Sequence, residues 1–206
     1  MALVKYNNNS ISAVTSAASI PSGAMTLIKT LTASGSSTLS FVDGSSDVVL
    51  DNTYPVYLFK FFNIHPASTQ PFLFQGSTDT GSSYGVTMTS SAFRAYHNEA
   101  GTSTSLSADT GNDQAQATGF QKLHGNIVNS NDHGGSGEMY FFNPSSTTFV
   151  KHFISTINAS LDDAVVQEQF IAGYFNTTSA IDAIQFKMNS GNIDSGSIKL
   201  YGIKDS

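Results

Sequence analysis

Tyr54-Pro55-Val56-Tyr57-Leu58-Phe59-Lys60-Phe61-Phe62-Asn63-Ile64-His65-Pro66 decides how this chain is read. From Val56 to His65 the residues are mostly β-branched or aromatic, and Lys60 alone carries a fixed charge. A proline closes each end, where a central strand cannot continue. The stretch predicts a strand buried on both faces. Val56, Leu58, Lys60 and Phe62 share one side, with Tyr57, Phe59, Phe61 and Ile64 roughly on the other, so a two-sheet sandwich with this strand near its centre is the expected host.

Strand patterns continue on both sides of it. Upstream they cover Thr26 to Thr32 and Thr38 to Val42, with a short apolar segment at Val48 to Leu50. Downstream they cover Pro71 to Gln75, Tyr84 to Thr89, Ala92 to His97, Phe120 to Val128, Glu138 to Phe142, Thr147 to Ile157, Glu168 to Phe175, Ile181 to Met188 and Ser197 to Ile203. The stretches from Asn98 to Gly119 and from Asn129 to Gly137 read as loops, the first long enough to be a functional or interface loop. A helical turn is expected only over Leu161 to Gln167, opened by Asp162 and Asp163. Residues 1–24, small and polar with Pro21 and Gly23 as punctuation, read as an extended N-terminal arm, and residues 25–206 as a single domain. The expected fold is all-β: a jelly-roll-like antiparallel β-sandwich of roughly ten strands.

Charged residues make up 12% of the 206, about half the usual share of about 25%. Ser, Thr, Asn and Gly take their place, as on exterior β-proteins. A net charge of −6 with nine scattered Lys and Arg speaks against a nucleic-acid groove, which needs clustered positive charge. Without cysteine there is neither a disulfide framework nor a thiolate metal site, so packing or oligomerisation must hold the fold. Met1 to Val4, followed by Lys5 and a run of Asn, lacks the layout of a secretion signal, and no apolar run reaches the length of a membrane span.

No residue cluster announces a chemistry. His65, His97, His124, His133 and His152 lie in separate segments without the short-spaced pair of a zinc site, and Asp132-His133 is the nearest approach to one. Asp43, Asp47 and Asp51, and again Asp109 and Asp113, recur every four residues and could offer oxygens to Ca²⁺, but they lack full calcium-loop grammar and read first as turn formers. The metal question is therefore open, and no cofactor is expected. The three glutamates Glu99, Glu138 and Glu168 are not placed as a glycosidase pair, and no Gly-x-Ser-x-Gly elbow is present. Gly134-Gly135-Ser136-Gly137 lacks the strand and helix of a phosphate loop. The sequons at Asn8, Asn158 and Asn176 are expected by chance in a chain this rich in Asn and Ser. An enzyme is not expected.

Several stretches taken together resemble a group of virion-associated proteins of marine tailed bacteriophages. They are Met25-Thr-Leu-Ile-Lys-Thr-Leu-Thr-Ala-Ser, Phe62-Asn-Ile-His-Pro, Ala92-Phe-Arg-Ala-Tyr-His-Asn-Glu, Phe142-Asn-Pro-Ser-Ser-Thr-Thr-Phe-Val-Lys-His-Phe, Gly173-Tyr-Phe-Asn-Thr-Thr-Ser-Ala-Ile-Asp-Ala-Ile-Gln-Phe-Lys-Met and Gly191-Asn-Ile-Asp-Ser-Gly-Ser-Ile-Lys-Leu-Tyr-Gly-Ile-Lys. The resemblance covers most of the chain and implies a particle component. It carries over no catalytic or binding residue. The expected role is a non-enzymatic virion structural protein, a capsid decoration or cement protein in symmetric copies. Its partners would be itself and the major capsid protein or other virion proteins, without nucleic acid or membrane, and it would be assembled in the host cytoplasm and exposed on the particle exterior. The alternative is a tail-associated or receptor-binding module for host surface glycans. The arm and the Asn98 to Gly119 loop are the expected contact regions.

Overall fold

The structure, a computed structural model, describes residues 24–162 and 164–205, so the expected arm lies outside the described residues except for Ala24. Among the described residues there are twelve strands and no helix. In chain order they are β1 (Met25–Thr32), β2 (Leu39–Val42), β3 (Val56–Pro66), β4 (Gln70–Ser77), β5 (Met88–Asn98), β6 (Thr104–Ala108), β7 (Gln121–Ile127), β8 (Gly135–Phe142), β9 (Lys151–Asp162), β10 (Val165–Phe175), β11 (Ala183–Met188) and β12 (Ile193–Ile203). They form an eight-stranded sheet ordered β1-β12-β3-β8-β9-β10-β5-β6 and a four-stranded sheet ordered β2-β11-β4-β7. Every pairing is antiparallel.

Setting aside β5, β6, β9 and β10, the remaining strands nest from the outside in. β1 pairs with β12, β2 with β11, β3 with β8 and β4 with β7. This is the wrapping that a jelly-roll-like sandwich requires. The strands set aside continue the larger sheet beyond β8 as the extension β9-β10-β5-β6.

The two inner faces meet in a core dominated by phenylalanine. Phe186 of β11 sits at its middle, with ring centroids 6.2 Å from Phe41, 5.2 Å from Phe59, 5.3 Å from Phe61, 5.9 Å from Phe72 and 6.3 Å from Phe74. Most of these pairs meet edge to face, the arrangement that the ring quadrupole favours. A second group, Phe74, Phe141, Phe153 and Phe175, extends the contact under β8, β9 and β10.

The structure corrects several expectations. β3 is central, between β12 and β8, but it is not buried on both faces. Tyr57, Phe59, Phe61 and Ile64 enter the core, while of the opposite side only Leu58 is covered and Phe62 is 40% exposed. The helical turn expected over Leu161 to Gln167 is instead the end of β9 and the start of β10, paired at Asp162 and Val165. The signal was hidden because the inward residues at the start of β10 are Gln167 and Gln169, both fully buried, which mask the apolar alternation. The strands expected at Tyr84 to Thr89 and Ala92 to His97 are one, β5, starting at Met88. The Asn98 to Gly119 stretch contains an edge strand, β6, whose only large apolar residue, Leu106, points outward. The loop expected to run to Gly137 ends at Gly135, where β8 begins. Glycine is required inside that strand, because a Cβ at Gly137 would collide with the Thr156 carbonyl and Ile157 of β9.

Removing the central ring should be costly. Phe186→Ala is expected to lower unfolding stability by about 3–5 kcal/mol, read as a lower urea midpoint with an unchanged slope. A loss below about 1 kcal/mol, an ordinary value for a point substitution, would show that the ring cluster does not depend on Phe186.

Candidate functional site

Because side chains alternate across a pleated strand, the register of the eight-stranded sheet fixes what its outer face displays. One cross-strand row runs Leu27, Tyr201, Leu58, Tyr140, Ile154 and Ala172. Beside it lie Met25, Ile203, Val56 and Phe142. On the other side a row runs Lys199, Lys60, Glu138, Thr156, Phe170 and Phe93, and the next runs Ser136, Asn158, Glu168, Ala95 and Leu106. Among the described residues the exposed large apolar side chains are Met25, Leu27, Phe62, Phe93, Leu106, Phe149, Ile154 and Val166. All but Phe149 stand on this one face.

The face is ordered by local contacts. Phe93 and Phe170 stack at 4.5 Å with ring planes 8° apart, and Tyr140 lies over Phe142 at 6.4 Å. The Lys60 ammonium is 3.4 Å from Glu138, and the Lys199 ammonium lies 5.0 Å from the Phe62 ring centroid. Two shallow grooves of about 510 and 400 Å³ cross the face and share Asn158 and Glu168. The second has Glu138 and Glu168 on its rim, a juxtaposition of acids that the sequence reading does not anticipate. They stand two strands and one row apart, about 12 Å at the backbone.

A polar cleft of about 630 Å³ opens where β3 and β12 both bulge, with the 131–134 turn beside it. Asn63, at a φ of 49°, turns the chain there, and its backbone N–H donates to the Ser136 hydroxyl at 3.0 Å. The cleft brings together His65 and His133, which the sequence leaves apart. His65 Nδ1 is 3.6 Å from Asp194 Oδ2 and its Nε2 is 3.3 Å from the Ser130 carbonyl oxygen. His133 Nε2 is 3.8 Å from Asp132.

Three of the five aspartates considered for Ca²⁺ act within their turns. Asp43 accepts from the Leu50 N–H at 2.8 Å, Asp51 from the Thr53 N–H at 2.7 Å, and Asp109 from the Asn112 amide at 2.6 Å. The Thr53 hydrogen bonds hold the Asp51 carboxyl below its usual range. Asp79, not singled out by the sequence, has a carboxyl lowered to about 2 by hydrogen bonds from Ser77 and then Ser83. Among the described residues no group of three His, Cys, Asp or Glu side chains is placed to hold a metal.

Beneath the extension the interior is polar. Gln121 donates to the Asn112 carbonyl at 2.6 Å and accepts from the Ser90 hydroxyl at 2.6 Å. Gln167 donates to Gln169 at 3.1 Å, and Gln169 donates to the Phe93 carbonyl at 3.2 Å. Gln75 donates to the Thr118 and Gly119 carbonyls. These amides fasten residues 109–119 to the sandwich, so much of the expected interface loop is held down. His124 is fully buried among them, and neither ring nitrogen has a hydrogen-bond partner of good geometry. Burial holds its pKa below the ordinary 6.5, against smaller opposing effects of the Asn126 and Gln167 backbone and the charge of Asp109.

Searched against models of protein families, curated proteins and solved structures, the chain matches none.

The His124 pocket sets a pH dependence. The unfolded chain takes up a proton near pH 6.5 that the folded chain refuses, so the stability contribution is complete above that value and declines as the pH falls toward the depressed folded value. Urea midpoints at about pH 7.5 and about pH 5 should differ, and His124→Leu should shrink the difference. An undiminished difference in the variant would assign the effect to other groups.

Proposed function

We propose that this chain is a non-enzymatic structural protein of a phage particle, a decoration or cement module carried in symmetric copies on the capsid. What supports this reading is one observation: the exposed large apolar side chains gather on the outer face of the eight-stranded sheet. A folded monomer seldom leaves such a surface to water, and contiguous apolar patches mark interaction sites. The face also has the interface composition of Tyr, Phe and Met with few charges. The sparse charge of the whole chain and its likeness to virion-associated proteins agree with it.

A second reading, adhesion to host surface glycans, draws on the polar cleft at His65, Asp132, His133 and Asp194, whose donors and acceptors suit sugar hydroxyls. The two separate experimentally. Tagged chain made during infection should band with purified virions, and Ile154→Glu, on the exposed face, should reduce that occupancy at least about tenfold without changing the melting temperature. Unchanged occupancy would overturn the face as the docking surface. Glycan-array binding lost in Asp194→Ala but kept in Ile154→Glu would favour adhesion.

A further inference from the structure

We propose that the partner on this face is a second copy of the same chain, packed sheet to sheet about a twofold axis running along the strands between β8 and β9. This rests on the reading of the face as the docking surface and names its occupant. Eight strands spaced about 4.8 Å apart, with five outward rows about 6.7 Å apart (the four above and one through Ser160, Val166, His97 and Thr104), present about 34 by 27 Å, or about 900 Å² on each copy. A stable interface of standard size buries about 800 Å² per partner. The face is therefore large enough for one complete isologous contact, and aligned sheets about 10 Å apart allow its side chains to interdigitate.

Charge chooses the axis. The strand order places Lys199 and Lys60 on β12 and β3, in one half of the face, and Glu168 on β10, in the other. Lys60 already has Glu138 at 3.4 Å, whereas among the described residues Lys199 and Glu168 have no ion-pair partner. A twofold axis across the strands would set each strand against itself, laying the basic half on the basic half. An axis along the strands between β8 and β9 sets β3 opposite the partner copy's β10, β12 opposite its β5, and β1 opposite its β6. Lys60 and Lys199, in the same row as Phe170 and Phe93, then face the partner copy's Phe93–Phe170 stack, one row from its Glu168. Only this second arrangement is self-complementary, as an isologous contact must be.

Sedimentation of the full chain over a range of concentrations tests it. The wild type should run at twice its 21.8 kDa mass at high concentration and dissociate on dilution. Ile154→Glu should raise the dissociation constant at least about tenfold with an unchanged melting temperature. Lys199→Glu and Glu168→Lys should each weaken the dimer, and the double swap should restore it, which a merely structural role for either residue would not produce. A dimer indifferent to Ile154→Glu, or swaps that add without rescue, would overturn this pairing. A wild-type monomer at every concentration would overturn it as well. If that monomer still bound virions in an Ile154-dependent way, the docking role of the face would stand and its occupant would be another virion protein.

Discussion

The packing of Phe186 between the two sheets is the contact on which the rest of the structure hangs. Its ring, from late in the chain on β11, meets Phe41 of β2, Phe59 and Phe61 of β3, and Phe72 and Phe74 of β4. With no cysteine available, nothing covalent closes the long nested connections, and the loss of chain entropy must be offset by buried apolar area alone. Phenylalanine suits that task. It buries a large area with few rotatable bonds, and its edge-to-face pairs add direction to an otherwise undirected force.

Where the sheet extends past this cluster, the usual polarity of a strand is reversed. β10 turns Gln167 and Gln169 inward and Val166 and Phe170 outward. Gln169 is tolerable there because it accepts from Gln167 and Asn112 and donates to the Phe93 carbonyl in place of water, whereas Gln167 donates to Gln169 but leaves its own Oε1 without a partner. His124 is another weak member of that layer, buried where the cost of desolvating a charged ring exceeds the help of the Asp109 charge. The outward apolar residues have no such compensation within the described chain, and this is the physical argument for a covered face.

The face and the cleft thus differ in kind. The face is broad, apolar and crossed by ordered aromatic pairs, as protein contacts are. The cleft is local and polar, built by matching bulges in β3 and β12, and offers hydrogen bonds without an aromatic platform.

What the sequence determined by itself was the class of the fold: β-branched and aromatic runs cut by Gly, Asn and Pro leave a strand nothing to be but a strand, and Val56 to Pro66 could only be central. It also located most strands, since alternation is a local property. Only the tertiary structure decided which side of each strand is inside. Gln167 and Gln169 look solvated and are buried; Ile154 and Phe93 look like core and are exposed. Pairing partners set that choice, and they lie tens of residues away: Ile154 joins Leu27 in one row only through Tyr140, Leu58 and Tyr201 on three intervening strands. The meeting of His65 with His133, and of Glu138 with Glu168, is of the same origin. A local pattern records how a strand alternates, but the sign of the alternation belongs to the neighbours that cover it.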